Sequence, residues 1–118
     1  MNERMTILLQ GNVIGKETYD KVGQIYNKYF KKEGLEQAKL DLFFTHLAMA
    51  LERVSKGDSI DHLDESIIED MQASGNYEFA ISHWNNIKKK ESINFPESED
   101  SYLVLHLINI FNDRREYD

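Results

Sequence analysis

The sequence predicts an all-α fold, a compact bundle of about five helices, and three observations carry that reading. Apolar residues recur at three- and four-residue steps in successive segments, the rhythm of a helix face rather than the alternation of a strand. Proline occurs once and glycine six times, mostly between the periodic segments. A chain of 118 residues buries roughly two thirds of its extended surface, enough for a single core without staples.

The elements follow in order. Residues 1–16 read as an N-terminal extension and 17–113 as the core bundle. The apolar stretch "MTILL" is too short for a signal-peptide core and far too short to span a bilayer. Gly11 and Gly15 then bracket "NVI". In "KETYDKVGQIYNKYFKKEG", Val22, Ile25, Tyr26, Tyr29 and Phe30 share a helical face and Gly34 is the stop signal. A longer helix runs from about Glu36 to Lys56, with Leu40, Phe43, Phe44, Leu47, Ala50, Leu51 and Val54 as its apolar arc and Gly57 as its C-cap. A shorter one carries Leu63, Ile67, Ile68 and Met71 and closes at Gly75. The fourth, "NYEFAISHWNNIKKK", places Tyr77, Ala80, Ile81, Trp84 and Ile87 on one side. Pro96 with Glu97, Glu99 and Asp100 marks the start of a last helix to about Asp113, because proline suits the first turn and acids suit the positive end of the helix dipole.

Composition narrows the function. The net charge of −7 disfavours direct nucleic-acid binding, which depends on clustered Lys and Arg. The one dense basic cluster, Lys88 to Lys90, reads as a solvated helix C-terminus. With no cysteine there is no disulfide framework and no thiolate metal site, and a cytoplasmic location is expected. There is no His-Glu-x-x-His, no Glu-x-x-His pair and no calcium loop; His62 with Glu65 is a lone His-x-x-Glu, so no metal is expected. Gly-x-Ser-x-Gly and glycine-rich phosphate loops are also absent, so neither an enzyme nor a cofactor is expected.

The chemistry that remains lies in the histidines. His46 and Arg53, seven residues apart, fall within about 20° of each other on the long helix, at the margin of its apolar arc. Leu42 and Met49 lie beyond them. Taken alone, His46 reads as a packed core histidine, but a guanidinium two turns along the same stripe also suits an anion such as phosphate. On the last helix the apolar arc is Val104, Leu105, Leu107, Ile108 and Phe111. Opposite it Glu99, Tyr102, His106, Asn109 and Asp113 line up within about 80°, flanked by Leu103 and Ile110. Such a stripe is either a wet face or a site in which an acceptor fixes the imidazole tautomer and leaves one nitrogen free as a nucleophile. His62 and His83 read as surface or capping residues.

Two stretches together carry a family resemblance. "THLAMALERV" fits His-x-x-x-Ala-x-x-Arg through His46, Ala50 and Arg53, and "FPESEDSYLVLHL" fits Pro-x-x-Glu-x-x-Tyr-x-x-x-His through Pro96, Glu99, Tyr102 and His106. Tyr77 and Ala80 in "NYEFA" add a third match. From about Glu17 to Asp113 the chain resembles the phosphotransferase-system regulation domain, or PRD. The resemblance implies a five-helix bundle that often dimerises. It further implies that His46 and His106 accept phosphoryl groups from the phosphocarrier protein HPr or a sugar-specific enzyme II B component. Arg53, Glu99, Tyr102 and Asn109 would support them. Such modules adjoin a nucleic-acid-binding domain; this chain has no room for one, so transcriptional output is expected to run through a partner. "IDHLDE" also lacks the Asn-Pro-like turn common after the second helix of the family. The rival reading is a helical interaction protein that kept the fold without the phosphorylation.

Overall fold

A computed structural model describes residues 3–31 and 34–115, with side chains through residue 111. The described residues form six α-helices: α1 (Glu3–Gln10), α2 (Lys16–Ile25), α3 (Gln37–Ser55), α4 (Glu65–Ala73), α5 (Tyr77–Glu91) and α6 (Glu97–Arg115). The all-helical expectation holds, and the count rises because the short first segment is itself a helix. Met5 of α1 is fully buried, and α1 packs on α2 and α3.

α3 and α6 form the centre and pack on each other; α2 lies against α3, and α4 and α5 lie against α6. Each boundary has a local cause. α3 ends in a Schellman motif, with Gly57 at φ +78, the Asp58 amide donating to the Arg53 carbonyl at 2.8 Å and the Gly57 amide to that of Val54 at 3.2 Å. α5 closes differently. Ser92, not a glycine, takes the left-handed conformation at φ 57, and the Ile93 amide returns to the Lys88 carbonyl at 2.9 Å. Between α1 and α2 the left-handed residue is Asn12, φ 59, rather than either flanking glycine, as suits a short polar side chain. α2 does not run on uniformly toward Gly34: Tyr26–Phe30 forms a π-helical turn, the kind of widened turn that changes which way the following side chains face.

Side-chain hydrogen bonds and ion pairs also tie helix ends to other parts of the bundle. Glu52 of α3 accepts from the Gly15 amide at 3.1 Å and from the Thr18 hydroxyl, capping α2 from across the bundle. Those two hydrogen bonds, the Thr18 bond foremost, hold the Glu52 carboxyl below its usual range. The buried Glu91 at the end of α5 accepts from Tyr29 Oη at 2.8 Å and pairs with Lys28 at 3.1 Å and Lys21 at 3.5 Å. Asn76, buried before α5, donates from Nδ2 to the Ile108 carbonyl at 2.8 Å and accepts from the Ser74 hydroxyl.

The core is rich in aromatic contacts. Phe30 meets Phe43 and Phe44 at 5.2 Å each, Phe43 meets Trp84 at 6.1 Å, and Trp84 meets Phe95 at 6.1 Å. Such pairs add about 0.5–1.5 kcal/mol each beyond buried area. α6 is enclosed more completely than its sequence stripe implies. Leu103 and Ile110, expected to flank a polar face, are each 1% exposed, whereas Leu105 from the expected apolar arc is only partly buried. His83 departs from the expected surface placement too. It is half-buried among Phe30 at 5.3 Å, Phe79 at 5.9 Å and Phe111 at 5.3 Å, because the helix margin it occupies faces this aromatic cluster rather than solvent. His62 is exposed.

Phe43 has no exposed surface and touches three other aromatic rings. Phe43→Ala is therefore expected to lower stability by about 3–5 kcal/mol, measured by chemical denaturation; a loss under about 1 kcal/mol would contradict its place in the core.

Candidate functional site

α3 delivers His46 and Arg53 from one stripe, and α6 delivers Glu99, Tyr102 and His106 from another. The helices meet antiparallel, so seven residues forward on α3 match seven backward on α6. His46 thus faces His106, and Arg53 faces Glu99.

The two imidazoles are in contact, with ring centroids 4.4 Å apart and planes tilted by 49°. The Tyr102 ring stacks on His46 at 6.1 Å and 17°. Both histidines are half-buried in the α3–α6 seam. Two turns along, Arg53 grips Glu99 through both arms: Nε donates to Oε2 and Nη2 to Oε1, each at 2.8 Å. The Glu99 side chain is 1% exposed and that of Arg53 25%. A bidentate fork of this kind fixes geometry as well as charge.

The surroundings keep both rings neutral at neutral pH. Burial lowers the His46 pKa from 6.5; Arg53 lowers it further and Glu99 opposes. Burial, then the neighbouring His46, pushes His106 down to about 4. A neutral imidazole has a free lone pair, which is what a nucleophilic nitrogen requires.

The structure brings together His46, His106, Tyr102, Arg53 and Glu99 of the residues expected from sequence. Asn109 is exposed and is not among the side chains that meet there, while the Asp113 side chain lies outside the described residues. Sequence reasoning missed Asp100. Beyond opposing the α6 dipole, it accepts from Trp84 Nε1 at 2.8 Å and from Lys88 Nζ at 2.7 Å, which makes Lys88 part of a tie to α6 rather than a free surface cation. The neighbouring "ED" could suggest two carboxylates with separate partners, but only the packing assigns them. Among the described residues no group of three or more His, Cys, Asp or Glu side chains is placed to hold a metal ion, and no helix is long and apolar enough to cross a membrane.

An all-helical bundle with a histidine pair seated between its central helices is the architecture of a helical module with an imidazole site. The chain belongs to the PRD domain family, whose model matches residues 16–110. Members of that family serve regulation associated with the sugar phosphotransferase system. No curated protein and no solved structure matches the chain.

Two measurements probe the site. Arg53→Ala leaves a buried carboxylate without its partner and should cost about 3 kcal/mol or more; adding Glu99→Gln should recover part of that loss, and an undiminished double variant would remove the ion pair from its role. Stability should also fall on acidification from about 6.5 toward about 4. In that window the unfolded histidine binds a proton that the folded His106 refuses. The denaturation midpoint of His106→Gln followed over the same pH range should slope less, and an unchanged slope would assign the effect elsewhere.

Proposed function

We propose that this chain is a cytoplasmic regulatory module of the bacterial sugar phosphotransferase system, accepting phosphoryl groups on His46 or His106 and influencing transcription through a partner. The observation that supports this most is the pair of neutral imidazoles in contact across the α3–α6 seam, on the positions where the family motif carries its histidines. The donors are the phosphocarrier protein HPr, a sugar-specific enzyme II B component, or both.

The transfer is simple in bookkeeping terms. With a phosphohistidine donor, a ring nitrogen of the acceptor forms the new N–P bond with its lone pair. The donor's N–P bond breaks, its electrons return to the donor ring, and the acceptor ring's N–H proton passes to that ring. No charged acceptor has to be deprotonated first, since burial already keeps the rings neutral. The phosphoryl group then brings about two negative charges into the seam. A homodimer would give that charge an interface to act on.

A second reading, a helical interaction protein that no longer takes phosphate, draws on exposed apolar side chains. Ile7 is 64% and Leu42 49% exposed, and Leu42 lies one turn before His46. Exposed apolar groups that cluster often mark docking surfaces. Under this reading His46→Ala and His106→Ala leave partner binding unchanged.

The deciding experiment incubates the protein with labelled phosphoenolpyruvate and the purified general phosphotransferase components, with and without the enzyme II B component. Acid-labile label is expected on the wild type and absent from the His46→Ala/His106→Ala double variant. A wild type that takes up no label, or a double variant that labels equally, rejects the acceptor role.

A further inference from the structure

The geometry points to Arg53 as a shared cation: it holds Glu99 in the free chain and is taken over by a phosphoryl group on the histidine pair, leaving a buried Glu99 without its counter-charge in the first turn of α6. This rests on the acceptor reading above and adds how occupancy of the site would be reported to the rest of the bundle.

Reach comes first. Arg53 lies two turns from His46 on the same stripe of α3, about 10 Å along the axis, and α3 side chains lean toward its N-terminus, that is, toward His46. Its side chain is 25% exposed, so the arm has a wet side on which to swing. Preference comes second. A phosphoryl group carries about −1.5 to −2 charges and three acceptor oxygens, against the single charge of a carboxylate, and both accept a guanidinium fork. Arg53 therefore has a stronger partner once the group arrives.

The consequence falls on Glu99. At 1% exposed it has no water to turn to, and a buried carboxylate stripped of its cation is costly. The first turn of α6 then opens to bring the Glu99 carboxylate to water. That turn is held by the Glu99 and Asp100 amides donating to the Pro96 carbonyl at 3.0 and 3.1 Å. It also carries Asp100, the acceptor for Trp84 and Lys88. Loosening it slackens the tie between α5 and α6.

The test uses phosphoramidate, a small donor that needs no partner protein. A ring nitrogen's lone pair forms the N–P bond, ammonia leaves with the electrons of the old one, and the ring's N–H proton passes to it. Hydrogen exchange of the Glu99 and Asp100 amides is then followed by NMR before and after phosphorylation, in the wild type and in Glu99→Gln. Exchange in the phosphorylated wild type should quicken about tenfold or more through local opening, while Glu99→Gln, which has no charge to strand, should show no such change. Phosphorylated wild type with unaltered exchange overturns the proposal, and so does the same quickening in Glu99→Gln. The wild-type comparison decides alone should the variant not fold. Failure of either histidine to take the phosphoryl group removes the acceptor reading and this inference together, an outcome distinct from uptake without loosening.

Discussion

The Arg53–Glu99 pair sets the register on which the remainder of the site depends. Hydrophobic packing between α3 and α6 tolerates a slide of one turn, since apolar side chains recur at three- and four-residue steps along both helices. A fork of two 2.8 Å hydrogen bonds onto a carboxylate with 1% exposure does not. Buried ion pairs contribute little net stability compared with a well-packed apolar pair, and their best-attested role is to specify one arrangement over its neighbours. Here the specified arrangement is the one that sets His46 against His106 two turns away. A slide of one turn would separate the rings by about 5 Å and strand both charges.

Much of this was legible in the residues. The apolar periodicity gave the helices from α2 to α6 close to their observed ends, and Gly57 marked the end of α3 because its left-handed backbone, φ +78, suits glycine. The two motif stretches named five of the side chains that meet. What escaped was whatever depends on a neighbour rather than on the chain itself. Ser92 adopts the left-handed conformation with no glycine to announce it. His83 sits off the apolar face of α5, but the face it does occupy is covered by Phe30 and Phe111. Helical periodicity ranks the sides of α6 only relative to each other, so it could not reveal that Leu103 and Ile110 are also covered. Asn109 shares the angular sector of His106, yet the seam between α3 and α6 is narrower than that sector, and Asn109 is left outside.

Enclosure explains the chemistry of the pair. On a fully exposed helix face, two histidines would titrate near their ordinary value and would be partly charged in mildly acidic water. Wedged between helices, each ring loses solvent; Arg53 further disfavours charge on His46, and His46 disfavours it on His106. The same seam leaves both rings part of their surface, which a protein donor would need. The site therefore lies between two failures, a buried imidazole that no donor can reach and an exposed one with no neighbour to influence.

Glu52 and Arg53 are consecutive, so their side chains leave α3 about 100° apart. One reaches back 37 residues to the start of α2, the other forward 46 residues to the start of α6. The helices can begin to form from local contacts, but these two clasps close long loops, and loop closure is what slows the assembly of contacts distant in sequence. The histidine pair spans 60 positions of chain and shares that fate. An isolated α3 or α6 peptide would carry the motif without the proximity, and translation must pass well beyond His106 before the site first exists.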